Sequence, residues 1–311
     1  MIVCMPHCGA AANSTSGGEV FERELLAHLP EQGIEPHVYG PAFVGLRWWN
    51  ARYQFRRSIR RCMRDHRPSL MRVHSLRYTA PAAYEVYEDI PITVHFHHLE
   101  PDRLAWLDLV ILEQADQITT DSWFSWSQLP FPLQQRCEVI PPGVDHKRFY
   151  PVQPSPVMIC LLMGGPKKRK NARFVHELWP EVEKRIPNVQ LVELGLGQTD
   201  EQVTKLYQLS RLLLMPSTLE GFGLPVLEAM ASGRPVVMSD RGALPEFGIE
   251  CTPLRKELWI DRICTLLSNR QTWLCESERN IVFSETYSWE STARRFAEIW
   301  RTLCDSPSSP P

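Results

Sequence analysis

Short apolar runs alternate with amphipathic stretches along the first half of the chain. The runs are bounded by turn-forming residues, which is typical of strands buried in a parallel sheet. The stretches between them have helical spacing, as in residues 19–32, where Gly33 ends the pattern. This alternation predicts an α/β fold with helices on both faces of a parallel sheet. The strands predicted in this half are residues 2–6, 35–39, 70–74, 92–96 and 117–120.

A second series of the same kind begins at residue 157 and extends to residue 284, after prolines clustered in residues 145–155. Domain boundaries fall in such segments, so we predict a domain break there. A length of 311 residues is enough for two domains of about 150 residues each. The polar, proline-rich end of the chain, residues 305–311, is predicted to be a disordered tail.

The composition argues against several classes of function. A formal net charge of −2 provides no basic field for binding nucleic acid. The nine cysteines contain no C-x-x-C pair, and several lie in apolar runs, so we expect reduced thiols in a cytoplasmic protein. The chain begins with a strand pattern, so we expect no secretory leader. No apolar run reaches the roughly 20 residues that span a bilayer.

The stretch from Met215 to Asp240 carries the strongest functional signal. A predicted strand leads into Glu220, a glycine-rich turn, and a short helix with Pro225 in its first turn. Gly233 stands where a left-handed residue would end that helix. A glycine turn at a helix N-terminus directs free N–H groups at an anion. The carboxylates of Glu220 and Glu228 beside such a turn indicate a ligand with hydroxyl groups or developing positive charge, and a sugar nucleotide offers both.

Five segments of the chain, in the right order, resemble motifs of family 4 of the retaining glycosyltransferases. The most specific of them is the pair Glu220 and Glu228, which matches the family's signature of two glutamates separated by seven residues. The five segments are Gly17-Gly18-Glu-Val-Phe-Glu-Arg-Glu-Leu, Pro91-Ile-Thr-Val-His-Phe-His97-His, Val139-Ile-Pro-Pro-Gly143-Val-Asp145 and on to Phe149, Glu220 to Glu228, and Tyr287-Ser-Trp289-Glu.

The resemblance implies the GT-B fold, in which two Rossmann-like domains with parallel sheets face each other and a C-terminal helix crosses back to the N-terminal domain. On that basis residues 1–148 form an acceptor-binding domain together with the crossing helix at 287–304, and residues 149–286 form a nucleotide-sugar-binding domain. The implied activity is retaining transfer of a sugar from an NDP-sugar to a glycan, lipid-linked or small-molecule acceptor. We expect a front-face mechanism, in which the leaving phosphate takes the acceptor proton, because it needs no enzymic base.

The same resemblance assigns roles to individual residues. Glu220 is expected to bond the donor sugar and stabilise an oxocarbenium-like transition state, and Glu228 to accept hydrogen bonds from the ribose. His97 stands at the position of a family histidine and is expected to bond the donor sugar or steady the domain interface. The further residues expected to bind the donor are Gly17, Gly18, Lys167, Lys168, Lys170, Phe222, Gly223 and Leu224.

A leaving diphosphate must be neutralised by a metal ion or by cationic side chains. The chain has no Asp-x-Asp pair, but four consecutive cations, residues 167–170, follow a glycine turn. We therefore expect an enzyme that needs no metal and no cofactor, with Lys170 at the position of the family's lysine. Gly165 replaces the family's arginine, and Lys167 or Lys168 is expected to supply that charge. A solvated loop is the alternative explanation.

Two other histidines compete with His97. His95 lies on the same face of the predicted strand as His97, so one of these two could be a structural core residue. His98 follows His97 directly. The pattern H-x-H-H-x-E, which ends at Glu100, raises zinc as an alternative, although its spacing is not a standard one.

Residues 46–64 carry seven arginines and no acidic residue. Arg52, Arg56, Arg60 and Arg64 recur every four residues and so form one stripe along a helix. Three interpretations stay open for this stripe: peripheral contact with an anionic membrane, binding of a phosphorylated acceptor, or an exposed helix face.

Two other functions stay open because fold alone does not determine function. One is a non-catalytic GT-B subunit that binds sugar nucleotides, and the other is a sugar-nucleotide epimerase or a phosphorylase on the same fold. After residues 189–194 the chain also lacks a strand–helix unit that the family usually has near the nucleobase. The sequence therefore leaves the base (UDP, GDP or ADP), the sugar, the acceptor, the linkage and the oligomeric state undetermined.

Overall fold

The structure is a computed structural model. It describes residues 1–6, 17–39, 48–74, 79–85, 90–99, 105–165, 167–195 and 197–305, and its description of residues 48–52 and 105 is limited to the backbone. The chain divides into two compact units, Met1–Pro141 with Trp289–Pro311, and Pro142–Ser288. Each unit has its own parallel sheet and its own core.

The first unit is built on a six-stranded sheet with the order β2-β1-β3-β4-β5-β6, in which every pair is parallel. Strand order reverses at β1, and the carboxyl ends of all the strands lie along one edge, where ligands of such sheets bind. The strands are β1 (Ile2–Pro6), β2 (Glu35–Tyr39), β3 (Leu70–Val73), β4 (Ile92–Phe96), β5 (Gln117–Thr120) and β6 (Cys137–Val139).

Helices cover this sheet, and the C-terminal helix (Trp289–Asp305) belongs to the same unit. Its Trp289 ring lies 5.6 Å from that of Phe21, and its Thr292 hydroxyl donates to Pro141 O at 2.9 Å. The predicted return of the last helix to the N-terminal part of the chain is therefore confirmed. The other helices are α1 (Gly17–His28), α2 (Trp48–His66), α3 (Thr79–Tyr84), α4 (Ala105–Glu113), α5 (Trp123–Ser127) and α6 (Phe131–Gln134).

The second unit has a four-stranded parallel sheet with the order β10-β9-β7-β8. Here the order reverses at β7, so the loops that follow β7 and β9 are neighbours at the carboxyl edge. The strands are β7 (Met158–Met163), β8 (Val189–Leu194), β9 (Leu212–Met215) and β10 (Val236–Met238). The helices are α7 (Ala172–Arg185), α8 (Asp200–Leu209), α9 (Leu224–Ala231), α10 (Lys256–Ser268) and α11 (Arg270–Ser284).

The core of the second unit explains why its strands were recognisable. β9 is buried at every position, and α9 buries Val226, Leu227 and Met230 against it. A strand covered on both faces needs a continuous apolar run, which is the pattern seen in the sequence. β8 leads into α8 through a short turn that ends in a capping box at Thr199.

Most predicted elements agree with the observed ones to within a few residues, but the first helix does not. It was predicted over residues 19–32, whereas α1 ends at His28 and a 3₁₀ turn follows at Pro30–Gln32. Pro30 has no N–H to donate to the preceding turn, so the α-helix stops before it. Gly33 then takes the left-handed conformation with φ 69°.

The first domain was predicted to end at residue 148, and the observed first unit ends at Pro141 before the chain enters the second unit. The predicted tail lies outside the described residues from 306 onward. The eight cysteines that the structure describes are free thiols, and four of them are buried. Within the described part of the chain, none of the helices combines the length and apolar character required to cross a bilayer.

Candidate active site

The second unit presents a buried carboxylate at the carboxyl edge of its sheet. Glu220 lies in the loop between β9 and α9, and only 5% of the residue is exposed. A buried carboxylate is unfavourable unless a charge or hydrogen bond compensates for the lost hydration. The neighbouring loop, after β7, supplies that compensation.

Two cations of the loop after β7 contact Glu220. Lys170 Nζ donates to Oε1 at 2.9 Å, and Arg169 Nη1 lies 3.6 Å from Oε2. Arg169 also donates to the backbone oxygen of Leu219 at 3.1 Å. Fifty residues separate Lys170 from Glu220 in the chain, so this pair depends on the strand order that places β7 beside β9.

Backbone and side-chain hydrogen bonds tie these two loops together. Thr218 N donates to Arg169 O at 2.8 Å, and Asn171 Nδ2 donates to Pro216 O at 3.1 Å. Asn171 stands between the 3₁₀ turn Lys168–Lys170 and α7, with φ 54° in the left-handed region that asparagine tolerates. The residues directly before and after Lys170 are therefore both bonded to the loop that carries Glu220, and these bonds fix the position of Lys170.

The predicted glycine turn at the start of α9 is present. Gly223 precedes the helix with φ 115°, and a Cβ there would lie 3.1 Å from Leu244 Cδ2. Phe222 is buried and packs edge-on against Phe247, with ring centroids 5.2 Å apart. Leu224 opens the helix, so the N-terminal end of the helix dipole lies next to the loop that carries Glu220.

Gly242 supports the same loop from a third segment. Its φ is +63°, and a Cβ at this position would lie 2.3 Å from Glu220 O and 2.6 Å from Glu220 N. The backbone of Glu220 also accepts a hydrogen bond from Ala243 N at 3.0 Å. Close approach of two backbones therefore requires glycine here.

Glu228, the second signature glutamate, is half-buried on α9. It interacts with Tyr207 of α8, which is 1% exposed and whose hydroxyl also lies 3.2 Å from Pro225 O. Burial, followed by the charge of Glu228 and the hydrogen bond to it, raises the pKa of Tyr207 well above its ordinary value. Tyr207 is thus a neutral phenol that helps to position Glu228.

The remaining predicted cations of this unit are at the surface. Lys167 and Lys168 are exposed, whereas Arg169 and Lys170 are partly buried. Gly165 N donates to Glu193 Oε1 at 3.2 Å, so the glycine at the family's arginine position is bound to an acidic side chain. Arg169, which was absent from the predicted site residues, is the second cation that reaches Glu220.

In the first unit, His97 follows β4 and Asp121 follows β5, so both lie at the carboxyl edge. His97 Nδ1 is 2.5 Å from Asp121 Oδ2, and His95 Nε2 is 2.9 Å from Asp121 Oδ1. The parallel register pairs His95 with Thr119, and His95 Nδ1 lies 2.9 Å from the Thr119 hydroxyl. His95, one of the predicted rivals of His97, is completely buried and bonded through both nitrogens.

The pKa values of this cluster diverge. Burial lowers the pKa of His95 to about 4, although Asp121 opposes that shift. Burial alone would raise the pKa of Asp121, but the charges and hydrogen bonds of the two histidines hold it well below its usual range. Burial would lower the pKa of His97, but the charge and hydrogen bond of Asp121 raise it above its ordinary value. His95 is therefore neutral near pH 7, while Asp121 is ionised.

Gly17 and Gly18 form the start of α1, as the glycine turn predicted. A Cβ on Gly18 would lie 3.1 Å from His97 Nε2, so the helix start and the imidazole are in close contact. Of the loop that precedes them, residues 7–16 lie outside the described part of the chain. The structure therefore brings together Gly18 and His97, two of the predicted site residues.

A buried ion pair lies close to this cluster. Arg72 of β3 donates to both oxygens of Glu22 of α1, at 2.5 and 2.8 Å, and both side chains are at most 2% exposed. Burial would raise the pKa of Glu22, but Arg72 outweighs it and lowers that pKa to about 2. The sequence analysis did not identify this pair.

The same cluster contains side chains of the types that bind metal ions. Within the described residues, His95, His97 and Asp121 form the one group of three possible ligands, with ligand atoms within 4.8 Å of one another. Glu100, the last residue of the predicted H-x-H-H-x-E pattern, lies outside the described residues. Three of the four imidazole nitrogens of this group already make hydrogen bonds, two to Asp121 and one to the Thr119 hydroxyl, and His97 Nε2 makes none to a described residue.

The arginine stripe of α2 is only partly available to a partner. Arg60 and Arg64 are exposed, Arg56 lies 3.0 Å from Glu85, and the side chain of Arg52 lies outside the description. Arg64 also pairs with Asp65 at 3.0 Å. The apolar face of the helix (Phe55, Ile59 and Cys62) is buried in the core of the first unit.

A sequence signal for Asp121 existed. It follows the predicted strand 117–120 directly, as His97 follows the strand 92–96. Neighbouring parallel strands end at the same edge, so residues that follow them can meet. What the sequence lacked was the strand order that makes β4 and β5 neighbours.

Two family models match the chain. The model described as Glycosyltransferase Family 4 matches residues 15–148, and the model described as Glycosyl transferases group 1 matches residues 195–269. The second match includes Glu220 and Glu228, and the first includes Gly17, Gly18 and His97.

Curated relatives carry glycosyltransferase names. A D-inositol 3-phosphate glycosyltransferase of Corynebacterium urealyticum is 30% identical over 52% of this chain and 38% of the relative. An MMP alpha-(1->4)-mannosyltransferase of Mycolicibacterium hassiacum is 29% identical over 60% of this chain and 51% of the relative. The chain thus spans about half the length of the curated relatives that it matches.

Solved structures share the fold over nearly the whole chain. Sucrose-phosphate synthase from Thermosynechococcus elongatus has a TM-score of 0.80 and 17% identity, covering 97% of this chain and 98% of that one. Anabaena HepE in complex with UDP-glucose has a TM-score of 0.73 and 15% identity, covering 97% of this chain and 100% of that one. This likeness confirms the predicted GT-B fold class. The two family matches, one in each half of the chain, identify the chain as a member of the family 4, or group 1, glycosyltransferases.

Proposed function

We propose that the protein is a glycosyltransferase that moves a sugar from a nucleotide-diphosphate sugar to an acceptor with retention at the anomeric carbon and without a metal ion. The observation that carries this proposal is the buried Glu220, paired with Lys170 at 2.9 Å at the carboxyl edge of a parallel sheet. Sheets of this kind bind ligands at that edge and near the reversal of strand order.

The two charges of this pair match the charges that develop during glycosyl transfer. As the bond to the leaving group breaks, the sugar carbon gains positive character, which the Glu220 carboxylate stabilises. The departing diphosphate gains negative charge, which Lys170 and Arg169 stabilise. A pair of opposite charges held in place before the reaction lowers the barrier because it does not have to reorganise.

The rest of the donor fits the start of α9. The N–H groups of Gly223 and Leu224 lie at the positive end of the helix dipole, which favours a phosphate or a sugar hydroxyl. Glu228, positioned by Tyr207, is placed to accept hydrogen bonds from the ribose. We assign donor binding to the second unit on these grounds, with the exposed Lys167 and Lys168 as outer cations.

We assign the acceptor to the first unit. Among the contacts described for it, the carboxyl edge of this unit's sheet has no such carboxylate–lysine pair. The leaving phosphate would take the acceptor proton on the same face of the sugar, so no separate base is needed. Retention follows from that front-face route.

The comparisons support a nucleotide-sugar donor. One structural neighbour, Anabaena HepE, was solved with UDP and glucose and again with UDP-glucose. The curated relatives are named for transfer of different sugars to different acceptors, including D-inositol 3-phosphate and O-antigen chains. They agree on the reaction class and differ in the substrates.

Donor identity is tested first by thermal shift with UDP-, GDP- and ADP-sugars. A ligand that binds only the folded state at 100 times its Kd stabilises that state by about 2.7 kcal/mol. We expect one nucleotide class to raise Tm and the others not to. If none of the nucleotide sugars binds, the proposal is wrong.

Catalysis is tested by release of the nucleotide diphosphate in the presence of EDTA. Glu220→Gln should lower kcat by about 10²–10³-fold, because it removes a charge that acts on the transition state. Glu177→Gln is the matched control, since Glu177 is an exposed glutamate of the same unit that pairs with Arg173 and Lys256. Loss of turnover on EDTA treatment would contradict metal independence.

The same assays separate the alternatives. A non-catalytic sugar-nucleotide-binding subunit would bind a donor and show neither transfer nor hydrolysis. An epimerase would convert the donor sugar without releasing the nucleotide diphosphate. Both outcomes replace the transferase proposal, and neither depends on knowing the acceptor.

We also propose that the basic face of α2 contacts anionic lipid through charge alone. Arg57, Arg60, Arg61 and Arg64 are exposed, whereas the apolar face of the helix is buried in the core. Each basic residue near such a surface contributes about 1 kcal/mol, and salt screens that contribution. The chain should therefore sediment with vesicles that contain phosphatidylserine and not with phosphatidylcholine alone.

Arg57→Glu combined with Arg60→Glu should abolish this sedimentation. Arg279→Glu, at an exposed position of α11, should leave it unchanged. If phosphatidylserine vesicles do not bind the wild-type chain, the arginines have another role, such as binding a phosphorylated acceptor.

A further inference from the structure

Asp121 is buried at the end of β5, with 4% of the residue exposed, and both of its oxygens are occupied. Oδ1 is bonded to His95 Nε2 at 2.9 Å and Oδ2 to His97 Nδ1 at 2.5 Å. An ionised carboxylate can only accept hydrogen bonds. Both imidazole nitrogens that face Asp121 must therefore carry protons.

We propose that Asp121 is a positioning residue for the transfer reaction. It holds His97 protonated on Nδ1 and so leaves Nε2, at the opposite side of the ring, to bond an oxygen of a bound substrate. This inference rests on the proposed function for its substrate, but the state of His97 that it requires is a property of the first unit alone.

His95 fixes the carboxylate. Because His95 donates from Nε2, its Nδ1 accepts from the Thr119 hydroxyl at 2.9 Å. Its ring stacks on Phe21 with centroids 4.6 Å apart and an interplanar angle of 11°. A completely buried, neutral imidazole with both nitrogens bonded cannot turn easily, so it holds the Asp121 carboxylate in one orientation. That carboxylate in turn orients the His97 ring through its hydrogen bond to Nδ1.

The other nitrogen of His97 lacks a partner. Nε2 is buried and makes no hydrogen bond to any described residue. It lies 3.1 Å from the position that a Cβ on Gly18 would take, at the start of α1. A buried polar atom without a partner costs about 1–3 kcal/mol. A bound oxygen atom would remove that cost, and the N-terminus of α1 favours one that carries negative charge.

The charged groups around His97 come from three elements. Asp121 from the end of β5 and Glu22 from α1 raise its pKa, whereas Arg72 from β3 lowers it, after burial has lowered it most. The net direction is upward, so near neutral pH the ring carries a proton on both nitrogens more often than an ordinary histidine. In that state Nε2 donates a hydrogen bond.

The state of His97 can be measured without a donor. In the wild-type protein with ¹⁵N-labelled histidine, the neutral ring at high pH should keep its proton on Nδ1. Asp121→Asn should lower the pKa of His97 and lose the preference for Nδ1. Asp116→Asn is the matched control, because Asp116 accepts from Ile92 N at 2.8 Å in the same sheet and an asparagine retains that acceptor.

Three NMR results would overturn the proposal. The first is a wild-type His97 whose neutral form carries its proton on Nε2, a result that needs no variant and so does not depend on Asp121→Asn folding. The second is an Asp121→Asn variant in which the pKa and tautomer of His97 are unchanged. The third is a stoichiometric zinc ion that displaces the Nδ1 proton, since Asp121 would then be a metal ligand.

Kinetics connect this state to the reaction. The limb of the kcat/KM profile on which activity falls as pH rises should move to lower pH in Asp121→Asn. Activity should fall by about 10–100-fold, by analogy with the loss of the hydrogen-bond partner of a metal-bound histidine. Asp121→Glu should recover part of both. An unmoved limb with transfer intact refutes the positioning role, whereas no transfer at all refutes the proposed function and leaves the NMR results standing.

Discussion

Replacing Gly242 by alanine tests whether backbone contact positions Glu220. The added Cβ would lie 2.3 Å from Glu220 O and 2.6 Å from Glu220 N, closer than any such contact can be. Neither atom belongs to a flexible side chain, so the loop after β9 must move. We expect Gly242→Ala to destabilise the second unit and to displace Glu220.

Two contributions set the magnitude. Gly242 has φ +63°, and a residue with a Cβ pays about 1–2 kcal/mol in this left-handed conformation. Overpacking against a rigid neighbour adds about 1–3 kcal/mol. The free energy of unfolding should therefore fall by about 2–5 kcal/mol. A displacement of about 1 Å at a catalytic group costs about a hundredfold in rate.

Gly248→Ala is the matched control. Gly248 has φ +62°, almost the same backbone conformation, but a Cβ there would meet no atom within 4 Å. It should lose only the conformational part, about 1–2 kcal/mol, and keep its turnover. The difference between the two variants isolates the contact with Glu220.

Urea unfolding followed by tryptophan fluorescence measures both stabilities, and release of the nucleotide diphosphate measures activity. Equal loss of stability in the two variants would show that the contact with Glu220 has no energetic consequence. Wild-type turnover in Gly242→Ala would show that the loop moves without disturbing the carboxylate. Either result would refute the reasoning.

Three further predictions concern the charged groups. The pKa of Glu22 is lowered from 4.5 to about 2 in the fold. Glu22 therefore contributes about 3 kcal/mol to the free energy of unfolding, and this contribution is fully present above pH 4.5 and lost as pH falls toward 2. Acid unfolding of the wild type and of Glu22→Gln checks this, and parallel acid curves would contradict it. Arg72→Met should cost about 3–5 kcal/mol because it leaves Glu22 buried without its partner, and unfolding in urea measures that loss. Lys170→Ala should lower kcat by about 10²–10³-fold with the donor still bound, in steady-state kinetics; an unchanged kcat would remove Lys170 from the site.

Local patterns were sufficient for most of the fold. Strand β9 is buried on both faces, and burial of that kind favours the continuous apolar run that its sequence shows. The start of α9 was equally visible, because Gly223, Pro225 and Gly233 each have a local conformational reason to stand where they do. The first helix was predicted too long, because Pro30 ends it although the helical pattern continues to Gln32.

The candidate site was visible in part. Glu220, Glu228 and the glycine turns follow from local pattern and from resemblance to a family. Arg169 was passed over because a run of four cations contains nothing that ranks one above another. The structure ranks them, since the 3₁₀ turn directs Arg169 and Lys170 toward Glu220 and leaves Lys167 and Lys168 exposed.

The sequence by itself determined the α/β class, the elements and the identity of the most informative carboxylate, because each depends on residues that are close along the chain. The tertiary structure decided which charges meet. Lys170 reaches Glu220 because β7 lies beside β9, and Asp121 reaches His97 because β5 lies beside β4. Strand order is a property of the whole sheet, and hydrogen bonds between parallel strands form in the same way whatever their neighbours are. The fold as a whole, and no single segment of the sequence, therefore determines which distant side chains pair.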